Sequence, residues 1–125
     1  MRYMMLIYSK ETAEPLTPEQ DLEVRMGHRA VMEETGRRGI LLGAEPLAPT
    51  STATTVRVQG GRALVSDGPF AETKEQFAGY YILECADLDE AIDWAAKIPT
   101  GCKGLEGCIE IRPMPGMGKR PGANA

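Results

Sequence analysis

A chain of 125 residues, 42% hydrophobic and 26% charged, is long enough for one core and too apolar for wholesale disorder. Its formal charge of −4 excludes a general nucleic-acid binder, which needs a basic face; Arg37-Arg38 and Lys119-Arg120 are only isolated basic pairs. No apolar run approaches the roughly 20 residues of a membrane span, and the N-terminus carries no secretory pattern, so a cytoplasmic protein without a membrane partner is expected.

Arg2 to Tyr8 reads as a strand and Lys10 to Leu16 as a polar loop. A helix follows, with Thr17 as N-cap, Pro18 at its first position and Gln20 completing a capping box. It is expected to run to Thr35, where Gly36 and Gly39 supply the stop. Ile40 to Ala44 is a short strand that continues irregularly through Leu47. Ala53 to Val58 and Arg62 to Ser66, joined by Gly60-Gly61, predict a β-hairpin. Asp67-Gly68-Pro69 then breaks the chain as a rigid turn. Gly68 is free to take a positive φ, Pro69 has its φ fixed, and Asp67 is held in a defined direction.

Gly79 to Cys85 predicts a further strand. Asp87 caps a second helix, with Glu90 at the capping-box position, an apolar stripe of Leu88, Ala91, Ile92 and Ala95, and Pro99 at its end. Cys108 to Arg112 is the last strand. Residues 1–113 thus form one domain and 114–125 a Gly/Pro-rich C-terminal tail.

Setting the hairpin aside leaves β-α-β twice, which predicts an α+β fold: a ferredoxin-like split βαβ with an inserted β-hairpin. Such a sheet carries helices on one face only. Yet Tyr3, Met5 and Ile7 alternate with Met4, Leu6 and Tyr8, and Tyr80 and Ile82 with Tyr81, Leu83 and Cys85, so both faces are apolar. A homodimer through the sheet faces is expected, across a contact on the order of 1,600 Å². The alternative is that the hairpin or the tail folds over that face.

Cys85, Cys102 and Cys108 are odd in number and lack C-x-x-C spacing, so neither disulfides nor zinc is favoured. There is no Walker loop, dinucleotide fingerprint, H-E-x-x-H or nucleophile elbow, and no metal or cofactor is expected. His28, the single histidine, shares a stripe of the first helix with Val24, Val31, Met32 and Thr35, while Leu22, Met26 and Ala30 form another. It is the one side chain whose ordinary pKa lies near neutrality, and Asp67 is the carboxylate to consider as its orienting partner. The rival readings are a packed histidine and a simple turn-former. Glu72, Lys74 and Glu75 could line the same mouth, or form a solvated face; Trp94 is expected to pack.

The chain resembles the DGPF-domain branch of the YCII-related family. The likeness runs through Tyr3 to Tyr8, His28, Thr54 to Arg57, Asp67-Gly68-Pro69-Phe70-Ala71-Glu72-Thr73-Lys74-Glu75, Gly79-Tyr80-Tyr81, Asp87 to Ala91, Trp94 to Ala96 and Glu110 to Pro113. The resemblance implies a dimeric α+β barrel and a histidine, matched by His28, beside an aspartate in an active site; a relative is a dehydrochlorinase. The wider family often has Asp-Pro after the second helix, where this chain has Ile98-Pro99. The expectation is a cofactor-independent lyase, isomerase or dehalogenase for a small anionic or aromatic molecule, with His28 and Asp67 as its acid/base pair. The alternative is a non-enzymatic ligand-sensing or regulatory module linked to alternative sigma factors.

Overall fold

The computed structural model describes residues 1–100 and 107–116. Its main sheet holds β1 (Arg2–Ser9), β2 (Leu41–Pro46), β5 (Gln76–Glu84) and β6 (Gly107–Met114), in the order β2-β5-β1-β6. Every neighbouring pair is antiparallel, because each β-α-β unit leaves a gap that a strand of the other unit fills. This is the ferredoxin-like split βαβ order. The hairpin of β3 (Thr54–Gln59) and β4 (Arg62–Asp67) is a separate two-stranded sheet. Cys102 and residues 117–125 lie outside the described residues.

Helix α1 (Pro18–Arg37) starts as its sequence dictates: the Thr17 hydroxyl accepts from Gln20 N–H at 3.2 Å, and the Gln20 side chain accepts from Thr17 N–H at 3.0 Å. It runs two residues beyond Thr35. Gly36 stays helical, and Gly39 at φ +73° is the residue that ends the rise. Helix α2 (Leu88–Ala95) is capped by Asp87, whose carboxylate accepts from Glu90 N–H at 2.9 Å. The Glu90 carboxylate accepts from Ala86 N–H, one residue before the N-cap, in place of the Asp87 N–H of a capping box.

Both helices sit on one face of the sheet. Tyr3, Met5 and Ile7 of β1 and Tyr81, Leu83 and Cys85 form a core with Val31 of α1, Ala91 and Trp94 of α2, and Ile98. The expected stripe of α2 needs correction, since Leu88 and Ile92 are exposed and Trp94 is buried in their place. Trp94 packs under the cations of Arg38 and Lys97, 5.2 and 4.7 Å from its ring centre. The second stripe of α1 is also uncovered: Leu22 and Met26 are exposed.

On the other face Met4, Leu6, Tyr8, Tyr80 and Ile82 are only partly buried, and neither helix lies on it. The hairpin leaves its own apolar residues in solvent, with Val56 58% and Val65 66% exposed. No helix among the described residues is long and apolar enough to cross a membrane.

Candidate functional site

Two local irregularities shape one end of the sheet. Between β1 and β5 the pairing steps from Ile7–Gly79 to Tyr8–Phe77, leaving Ala78 as a bulge. At Gly79 a Cβ would fall 2.8 Å from the Glu45 carbonyl oxygen, so only glycine lets β2 approach there. The loops at this end are tied together: Glu11 accepts from the Thr50 N–H and hydroxyl through its two carboxylate oxygens, each at 2.8 Å, and its own N–H donates to the Gln76 side chain.

A cavity of about 580 Å³ opens between α1 and this end of the sheet, a size that suits a small-molecule ligand. Its walls are mostly apolar, from Ile7, Val24, Met32, Ala44 and Pro99, with His28, Tyr81, Ser9 and Thr100 as polar groups. Arg25 stands at the wall and is already engaged by Asp21 at 2.9 Å.

His28 projects from the middle of α1, where the helix fixes its direction. The Tyr81 hydroxyl lies 2.8 Å from His28 Nδ1 and donates to the His28 carbonyl at 3.3 Å. The two rings stack at 26° with centres 5.9 Å apart. Partial burial penalises the charged imidazolium and holds His28 below its ordinary 6.5. At neutral pH it is a neutral base. Burial likewise pushes the Tyr81 hydroxyl up to about 12, so it stays protonated.

Of the residues picked out from sequence, His28 lies in the cavity wall and Asp67 does not. Asp67 ends β4, paired with Thr54, and is exposed. Its turn is as rigid as expected: Gly68 takes φ +92°, its N–H donates to the Ala53 carbonyl at 2.7 Å, and its own carbonyl accepts from the Thr55 hydroxyl. Glu72, Lys74 and Glu75 are also absent from the cavity wall. Ile98 is buried in the core, and its neighbour Pro99 lines the cavity. Sequence reading missed Tyr81. The available signal was a tyrosine on an inward-facing strand position, since a buried hydroxyl has to find a partner.

Gly27 sets how closely Pro99 approaches α1: a Cβ there would lie 2.7 Å from the ring carbon Cγ. The proline ring is stiff, so overpacking of about 1–3 kcal/mol should outweigh the roughly 1 kcal/mol that alanine offers a helix. Gly27→Ala is expected to lower the unfolding midpoint. Gly36→Ala, with nothing within 4 Å of its Cβ, is expected to raise it. A midpoint for Gly27→Ala at or above wild type would show that the Pro99 contact yields freely.

A family model described as the YCII-related domain matches residues 1–115. An uncharacterised protein of Rhizobium meliloti (strain 1021) is 38% identical over 115 residues, spanning 91% of this chain and 92% of the relative.

Proposed function

Since the chain belongs to the YCII-related family, whose membership leaves its chemistry open, we propose that it is a small-molecule enzyme with His28 as general acid/base. The observation that carries this is a neutral imidazole held in the wall of a ligand-sized, mainly apolar cavity. Such a base can take a proton from a substrate carbon. The electron pair left behind either forms a double bond as a leaving group departs, or the proton is returned at another position. Lyase, dehalogenation and isomerase chemistry all fit. Apolar walls and stacked rings suit an aromatic body, and Arg25 at the wall suits an anionic end.

Within one subunit this reading rests on His28, because Asp67 stands on the hairpin outside the cavity. The same reading makes the protein a homodimer, with the apolar sheet face that neither helix covers as the contact.

The test is exchange of substrate C–H protons with deuterated water, followed by proton NMR across a panel of small aromatic and carboxylic acids. Turnover or exchange by wild type should fall about 10²–10⁴-fold in His28→Gln. Because burial places the folded pKa of His28 below 6.5, activity should be full above that pH and decline as pH drops through the folded value. Binding without exchange, equal in both proteins, would favour a ligand-sensing module instead.

A further inference from the structure

The contact between Tyr81 and His28 has more content than a packed ring. A phenolic hydroxyl has one proton to give and two lone pairs to receive. Its oxygen stands near two groups of the same residue, Nδ1 at 2.8 Å and the backbone carbonyl at 3.3 Å. A carbonyl can only accept, so the longer contact is a hydrogen bond only when the hydroxyl proton points at it. The shorter contact is then a hydrogen bond only if Nδ1 carries a proton and donates it. The opposite assignment, with the hydroxyl donating to Nδ1, leaves the carbonyl contact empty and the oxygen without a donor.

We propose that Tyr81 is the positioning residue of this site: its hydroxyl holds His28 as the Nδ1–H tautomer and so leaves the Nε2 lone pair for a ligand in the cavity. The bonds run in one direction, Nδ1–H to hydroxyl to carbonyl, and each polarises the next. The oxygen is well placed for this. Tyr81 is 3% exposed and sits on an inner strand, paired with Met5 on β1 and Ala44 on β2. A neutral hydroxyl in the orienting position gives the imidazole less basicity than a carboxylate would, and keeps the ring uncharged at neutral pH.

Among the described residues, no other titratable group competes for the ring from the elements around it. On α1, Arg25 is engaged by Asp21. On β2 and β5, Glu45 and Tyr80 contribute to the wall, but they are cross-strand partners and their side chains leave on the opposite face of the sheet from Tyr81. Ile7 and Ser9 of β1, and Pro99 and Thr100 after α2, carry no charge.

The functional meaning of this tautomer rests on the acid/base reading, but its test does not. His28 is the single histidine, so long-range ¹H–¹⁵N correlation spectra of the labelled full chain report one imidazole without ambiguity. In wild type the neutral ring should be predominantly Nδ1-protonated. In Tyr81→Phe it should shift to predominantly Nε2-protonated, the form free imidazoles favour in water. Its pKa should fall further, because the imidazolium loses an acceptor while the burial remains.

An Nε2-protonated ring in wild type would overturn the proposal, and this measurement needs no variant. An unchanged tautomer in Tyr81→Phe would also overturn it. So would a rise in pKa there, the mark of a hydroxyl that had been donating to Nδ1. Absence of turnover would sink the enzyme reading and leave the tautomer result standing.

Discussion

Leu83→Ala is expected to destabilise the protein by about 2–5 kcal/mol, a large share of the 5–15 kcal/mol that holds a domain of this size together. Leu83 is 0% exposed and belongs to the core shared with Val31 of α1 and Ala91 and Trp94 of α2, opposite Tyr3 on β1 and Leu41 on β2. Truncation removes most of a fully buried side chain and leaves a hole that two hydrogen-bonded neighbours cannot close, since β1 and β2 fix β5 from both sides. Leu83 is not part of the cavity wall, whereas Tyr81, two residues earlier on the same strand face, is. Chemical unfolding should therefore show the full loss, while the His28 ring keeps its tautomer at temperatures where the variant is folded. A loss below 1 kcal/mol would mean that the helices collapse onto the gap.

What the sequence made legible follows the range of the signals involved. The start of α1, the hairpin, the Asp67-Gly68-Pro69 turn and the cap of α2 are set by residues within a few positions of one another, and each forms where expected. The start of β5 was misplaced because Gln76 and Phe77 are strand residues only through pairing with Ser9 and Tyr8, far away in the chain. Gly36 looked like a stop because glycine is a poor helix former, but the backbone turns at Gly39, which alone of the two takes a positive φ. The rotation of α2 was equally out of reach: in 8 residues the apolar pattern fits more than one face, and docking of Trp94 against the core chose between them.

The site divides the same way. His28 was singled out because no other side chain has its chemistry, a property of composition alone. Its surroundings are not local. Whether Asp67 or Tyr81 stands beside it depends on how β4 and β5 are placed relative to α1, and no spacing along the chain encodes that distance. Tyr81 reads from sequence as one more apolar strand residue. Only the fold reveals that its hydroxyl has somewhere to go.

Ile82→Asp is expected to turn the proposed homodimer into a folded monomer. Ile82 lies on the inner strand β5, on the face away from the helices, opposite Met4 on β1 and Gly43 on β2. With Leu6 and Tyr80 it makes an apolar centre, while Glu110 and Arg112 on the edge strand β6 and Glu45 on the edge strand β2 make a charged border. An apolar middle with a polar rim is the anatomy of a protein interface. In a two-fold contact each substitution occurs twice, and a carboxylate buried there finds no cation nearer than the rim. An uncompensated buried charge is worth about 2–5 kcal/mol, so two of them should weaken association by roughly 10³-fold or more. The monomer should tolerate the change far better, since Ile82 is only partly buried within one chain; the poor strand propensity of aspartate adds at most about 1 kcal/mol. Ile82→Thr keeps the β-branch without the charge and separates the two effects. Sedimentation velocity at micromolar concentration should give a dimer for wild type, a dimer or mixture for Ile82→Thr and a monomer for Ile82→Asp, all with the same circular dichroism. A wild-type monomer at that concentration would leave the apolar centre facing water and remove the homodimer from the proposal, while the cavity and its imidazole would stand as they are.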